Sequence, residues 1–131
     1  MNSNDNAGES GEAGTKAIVV ADMLFASRVR GVAGALGVRV RVVGRPAGLA
    51  AAVRDTGASL VLVDLELSSG RGPEAVRAIR SEPEMNDVRV VAFSSHGNAA
   101  AIEAGRAAGA DRVLARSAFV QQLPALLSSD D

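Results

Sequence analysis

The chain has 131 residues, with 14 basic against 15 acidic side chains and a formal net charge of -1, which is room for one domain with its own core and not for two. That balance makes no electrostatic case for nucleic acid or an anionic membrane surface. With no cysteine and His96 as the one histidine, disulfides, thiol chemistry and cysteine or histidine metal clusters are excluded.

Residues 1–14 are small, polar and mildly acidic through Asp5, Glu9 and Glu12, so a disordered tail is expected there. They carry no basic-apolar signal pattern, and no later run approaches the about 20 apolar residues needed to cross a bilayer. A cytoplasmic location follows as the default. The domain is expected over 15–128, with a short tail at 129–131.

From Lys16 onward, short β-branched runs alternate with longer Ala, Leu and Arg stretches of helical period, the pattern of a parallel sheet covered by helices. AIVV from Ala17 predicts a strand buried on both faces, ending at Ala21-Asp22. A helix follows with Phe25, Val29, Val32 and Leu36 on one face. In the strand over 38–43, Val38, Val40 and Val42 alternate with Arg39 and Arg41, which suits an edge. Pro46 opens a short helix through Val53. Ser59 to Val63 is a fully apolar strand ending in Asp64. Gly70, Gly72 and Pro73 mark a loop and a helix start; that helix turns Val76 and Ile79 inward and ends before Pro83. Val88 to Phe93 is a fourth strand, followed by the Ser94-Ser95-His96-Gly97 loop. A helix over 99–108, a strand over 111–115 and a helix over 119–127 complete the domain. Pro124 is at odds with that last helix, costing about 3 kcal/mol in an interior position, so the helix is expected to bend or to start later.

Five strands alternating with five helices through right-handed crossovers give a doubly wound sheet, in which ligands bind beyond the carboxyl ends of the strands where strand order reverses. Asp22, Asp64, Ser94 and Arg116 stand at those ends. Two carboxylates, a hydroxyl and a cation suit a hard divalent ion and a phosphoryl group. The competing reading is a carboxylate that caps its loop by accepting backbone N–H bonds. It stands equally for Asp22, whereas VLVD gives Asp64 no obvious cap to serve.

The strings KAIVVAD, LVLVDLELSSGRGPEAVRAIR, VRVVAFSSHGN and AAGADRVLARS resemble, in order and interval, the successive motifs of response-regulator receiver domains over nearly everything from Lys16 to Leu127. The resemblance implies a flavodoxin-like sheet of order 2-1-3-4-5 with helices on both faces. It implies that Asp64 accepts a phosphoryl group from a histidine kinase or phosphotransfer protein, with Gly72 beginning the next helix. Asp22 and Asp64, with the backbone carbonyl of Glu66, would hold Mg2+. Ser94 and Arg116 would contact the phosphoryl group, and the small Ser95 would leave the pocket open.

The chain also departs from that family. Ala21 replaces the first acid of the usual pair, so weaker magnesium binding is expected. Arg116 replaces the usual lysine, a planar fork in place of an ammonium. Ser117 stands where a cis-peptide proline is usual, and Val113 replaces the aromatic switch residue in a chain without Tyr or Trp. Two readings follow: a working receiver phosphorylated on Asp64, or a pseudo-receiver that keeps the fold as a phosphorylation-independent protein-interaction module.

An enzyme is not expected. Gly31, Gly34 and Gly37 lie in or just beyond a helix, away from the strand-to-helix turn of a dinucleotide site; Gly70-Arg71-Gly72 lacks the Lys-Ser/Thr of a phosphate loop; and no GxSxG occurs. His96 reads as a solvated loop residue. No effector domain is expected after the last helix, so output would pass to a downstream protein target. In the family it commonly uses the face over residues 99–127, here Ala-rich with Arg106, Arg112 and Gln121 at its rim, a face suited to a target helix or a homodimer.

Overall fold

The central strand is the most apolar one. Leu60–Asp64 is buried at every residue, whereas Arg39–Val42 and Arg112–Ala115 each expose their arginine ends. The computed structural model describes residues 14–128; of the tails expected at 1–14 and 129–131, all but Gly14 lie outside them. It sets five parallel strands in the order β2-β1-β3-β4-β5. They are β1 (Thr15–Val20), β2 (Arg39–Val42), β3 (Leu60–Asp64), β4 (Arg89–Ser94) and β5 (Arg112–Ala115), alternating with α1 (Met23–Leu36), α2 (Leu49–Thr56), α3 (Arg71–Arg80), α4 (Ala99–Ala108) and α5 (Arg116–Ser128). The charged alternation of β2 is thus that of an edge strand, as its pattern requires.

Because strand side chains alternate between faces, the sheet feeds two cores. Ile18, Val20, Val61 and Val63 pack with Leu49 and Val53 of α2 and with Val76 and Ile79 of α3. Ala17, Val19, Leu60 and Leu62 pack with Val29 of α1 and with Phe119, Leu123 and Leu127 of α5. Helices therefore cover both faces, α1 and α5 on one and α2 to α4 on the other. No helix of the described residues is long and apolar enough to cross a membrane.

Three expectations need correction. The buried stripe of α1 is Ala26, Val29 and Ala33, flanked by Phe25 and Val32, and Leu36 is 41% exposed. Pro46 opens a separate 3-10 turn, Pro46–Gly48, and α2 then runs to Thr56. The last helix begins earlier than expected, at Arg116, and passes through Pro124. A proline disfavours helical geometry in the residue before it. With Ser117 in that place, Arg116 is free to be the first helical residue, directly after β5. Pro124 lies on an exposed face, where water can serve the Val120 carbonyl that a proline nitrogen cannot.

Candidate functional site

The chain leaves β1 for the edge at β2 and returns to β3, so the order reverses between β1 and β3, and the crevice beyond their carboxyl ends is where such sheets bind ligands. Their register pairs Val20 with Val63, which puts Ala21 level with Asp64 and Asp22 one residue beyond. Asp22 caps α1, its Oδ1 accepting the Phe25 N–H at 2.8 Å. It is exposed.

Asp64 is 3% exposed. Its Oδ1 accepts the Glu66 N–H at 2.8 Å and lies 3.5 Å from Arg116 Nη2. The expectation that Asp64 serves no cap is therefore corrected: it braces the turn that follows it. Burial pushes the Asp64 carboxyl above its ordinary range. The Asp22 and Glu66 charges act in the same direction, and the Glu66 N–H and Arg116 oppose them. The Asp22 charge thus reaches Asp64 at one rim.

The Glu66 side chain is the feature that sequence reasoning missed, having used only its carbonyl. Its Oε1 accepts the Ser95 N–H at 2.9 Å, the Ser95 hydroxyl at 2.7 Å and Arg116 Nη2 at 3.1 Å, and its Oε2 accepts Asn98 Nδ2 at 2.7 Å. Hydrogen bonds from Asn98 and Ser95 hold the Glu66 carboxyl below the ordinary carboxylate range, with help from the Arg116 charge. The pocket that Ser95 was expected to leave open is occupied by this carboxylate. Asn98 had one visible signal, its place before Ala99-Ala100-Ala101. There it caps α4 by accepting the Ala101 N–H at 3.0 Å, which leaves its Nδ2 free to donate.

Arg116 is held from below by aromatic rings. Its guanidinium carbon lies 5.9 Å from the Phe25 centroid and 5.7 Å from that of Phe93, while Phe93 stacks on Phe119 at 4.3 Å. All three phenylalanines of the chain form this platform, so a planar cation suits the place better than an ammonium would. Arg116 Nε is buried without a hydrogen-bond partner among the described residues. Ser94 ends β4 fully buried, its Oγ donating to the Ser95 carbonyl at 3.2 Å. The structure thus joins Asp64, Glu66 and Arg116 directly, places Asp22 beside them, and keeps the Ser94 hydroxyl on its own loop.

No cluster of three or more Asp, Glu, His or Cys side chains that could hold a metal occurs among the described residues. Two carboxylates at one rim, with Asp64 raised by burial and by the Asp22 and Glu66 charges, nonetheless fit a hydrated divalent ion, since magnesium is held by one or two carboxylates and keeps several waters.

The family model of the response regulator receiver domain matches residues 17–128. No curated protein matches the chain. Among solved structures, it resembles the receiver domain of sensor histidine kinase PA1611 from Pseudomonas aeruginosa PAO1, solved with magnesium in the active site cleft, at 21% identity and a TM-score of 0.71, over 88% of this chain and 99% of that one. Vibrio cholerae chemotaxis protein CheY4 matches at 16% identity and a TM-score of 0.71, over 86% and 98%. The phosphorylated cyanobacterial phytochrome response regulator RcpA matches at 23% identity and a TM-score of 0.66, over 86% and 88%.

Proposed function

The chain belongs to the response regulator receiver domain family, and on that premise we propose that it signals by accepting a phosphoryl group on Asp64 from the phosphohistidine of a kinase or phosphotransfer protein. The observation that carries this reading is a buried carboxylate closing the central strand with a guanidinium 3.5 Å away. Oδ1 of Asp64 is engaged by the Glu66 N–H, which leaves Oδ2 as the attacking oxygen. The new bond is P–O, the bond broken is the P–N bond of phosphohistidine, and the departing imidazole takes up a proton. Arg116 and the Ser94 hydroxyl are the proposed contacts to the phosphoryl oxygens.

Magnesium, held by the Asp22 and Asp64 side chains and the Glu66 carbonyl, would supply positive charge to offset that of the incoming group. With Ala21 in place of an acid, the site is the weaker for it. Partners would read the state of the domain over 99–127, where Arg106 and Gln121 are exposed and Arg112 Nη2 donates to Gln122 Oε1 at 3.0 Å. A downstream target or a second copy of the chain could dock there.

The test is incubation of purified protein with a small phosphodonor and magnesium, followed by intact mass. One phosphate added to wild type and none to Asp64→Ala supports the reading, and no addition to either favours the alternative. That alternative, a pseudo-receiver acting through protein contacts alone, is favoured by the Glu66 carboxylate, which already engages the donors around the site.

A further inference from the structure

A glutamate two residues beyond a strand ordinarily leaves its carboxylate in water. Glu66 does the reverse: its side chain is 24% exposed, and all four donors on it come from other segments. Ser95 supplies its N–H and hydroxyl from the loop after β4, Asn98 its amide from the start of α4, and Arg116 its guanidinium from the start of α5. Arg116 Nη2 lies nearer to Glu66 Oε1, at 3.1 Å, than to Asp64 Oδ1, at 3.5 Å. A backbone N–H, a hydroxyl, an amide and a guanidinium converging on one anion form an oxyanion site, and here the anion belongs to the chain itself.

We propose that Glu66 is the resident ligand of an oxyanion site built by Ser95, Asn98 and Arg116, and that a phosphoryl group arriving at Asp64 engages those donors only by displacing the Glu66 carboxylate. The inference rests on the reading that this site receives a phosphoryl group, and it adds the gate. A phosphoryl group on Asp64 would stand two residues from Glu66 and bring further negative charge against it. The Arg116 nitrogen and the Ser95 N–H cannot serve both anions at short range. Glu66 has a route out, being partly exposed, so the exchange replaces one charge-assisted set of bonds with another and needs no rearrangement of the sheet. Until it happens, the loop after β4 and the start of α4 are already drawn toward the site by an anion.

The experiment uses the full chain in an Asp64→Asn background, where no phosphoryl transfer can occur, and titrates inorganic phosphate while following the Ser95 amide and the Asn98 side-chain amide by NMR. Glu66→Ala in that background should bind phosphate about tenfold more tightly than the background alone, with saturable shifts at both groups. Glu66→Gln, which keeps the shape and removes the charge, should fall between them and covers the case in which the alanine variant does not fold. Equal affinity in all the folded chains, or no saturable shift at Ser95 in any of them, overturns the proposal. With Asp64 intact, labelling by a small phosphodonor is a separate measurement. Its failure in every chain sinks the phosphoacceptor reading, while the titration decides the gate by itself.

Discussion

A Cβ built on Gly72 would lie 2.4 Å from the carbonyl oxygen of Asp64 and 2.6 Å from the Leu65 Cα, so the first turn of α3 is pressed against the backbone that presents the candidate phosphoacceptor. Backbone atoms cannot swing aside as a flexible side chain can. Gly72→Ala must therefore move either α3 or the turn from Asp64 to Glu66. The expected cost is about 1–3 kcal/mol of stability, the usual range for overpacking, read as a shift in denaturant midpoint. A phosphodonor assay should lose rate as well, since Asp64 and the Glu66 carbonyl move with the turn. Unchanged stability and labelling in Gly72→Ala would show that the contact is relieved elsewhere.

Asp64 should be a residue at which function opposes stability. Burial and the Asp22 and Glu66 charges raise its carboxyl, so the folded state holds the proton to higher pH than the unfolded chain does. The destabilisation is therefore fully present above the folded value. It fades as pH falls through that value and is gone below the ordinary aspartate value of 3.8. Asp64→Asn keeps an oxygen for the Glu66 N–H and removes the charge. In chelator-treated buffer at neutral pH it should be more stable than wild type, by on the order of 1 kcal/mol, with the gap closing in acid. A variant less stable than wild type at neutral pH would mean that the Arg116 contact outweighs burial and like-charge repulsion.

The order of elements was legible because β1, β3 and β4 are β-branched or Leu-rich runs that cannot stay in water, and because arginines mark β2 as an edge. Asp22, Asp64 and Arg116 could be assigned to one rim because strand ends follow from strand order. The start of α5 was not legible by hydrophobic period, since Arg116, Ser117 and Ala118 contribute little to it; it depends on the missing proline at 117. The exposure of Leu36 was missed because small residues, Ala26 and Ala33, allow α1 to sit closer to the sheet on a neighbouring stripe. The Glu66 clamp was out of reach for a different reason. Its four hydrogen bonds join segments separated by 29 to 50 positions, and no local pattern encodes that meeting.

The AGAD string has a structural role that separates two arginines of similar appearance in sequence. Arg80 donates to the Gly109 carbonyl at 2.9 Å and the Val88 carbonyl at 3.0 Å, and pairs with Asp111 Oδ2, which also accepts the Val90 N–H at 2.8 Å. Its side chain is 20% exposed. Arg54 reaches Glu82 and Glu84 at 2.8 Å and 3.0 Å but is half exposed. Arg80→Ala strips donors from two carbonyls and should cost about 1–3 kcal/mol, whereas Arg54→Ala should leave the thermal midpoint nearly unchanged. Thermal melts of both variants in low and high salt check this, with the Arg80→Ala loss persisting at high salt because its bonds to the Gly109 and Val88 carbonyls are not ion pairs.

Ser117→Pro tests whether helical geometry at Arg116 is what delivers its guanidinium to Glu66. The change itself is mild for α5: a proline is tolerated in the first turn, where the lost N–H has no intrahelical partner. Its effect falls on the residue before it, because the proline ring disfavours the helical region for Arg116 and so shifts the helix start past it. The Arg116 side chain would then leave from a different backbone direction, while the Phe93 and Phe119 platform stays in the core. Stability should change little, but the 3.1 Å bond between Arg116 Nη2 and Glu66 Oε1 should be lost, and the Ser95 amide resonance should move toward its position in Glu66→Ala. A Ser95 resonance left in place would show that the side chain of Arg116, lying over Phe25 and Phe93, finds Glu66 whatever its backbone does.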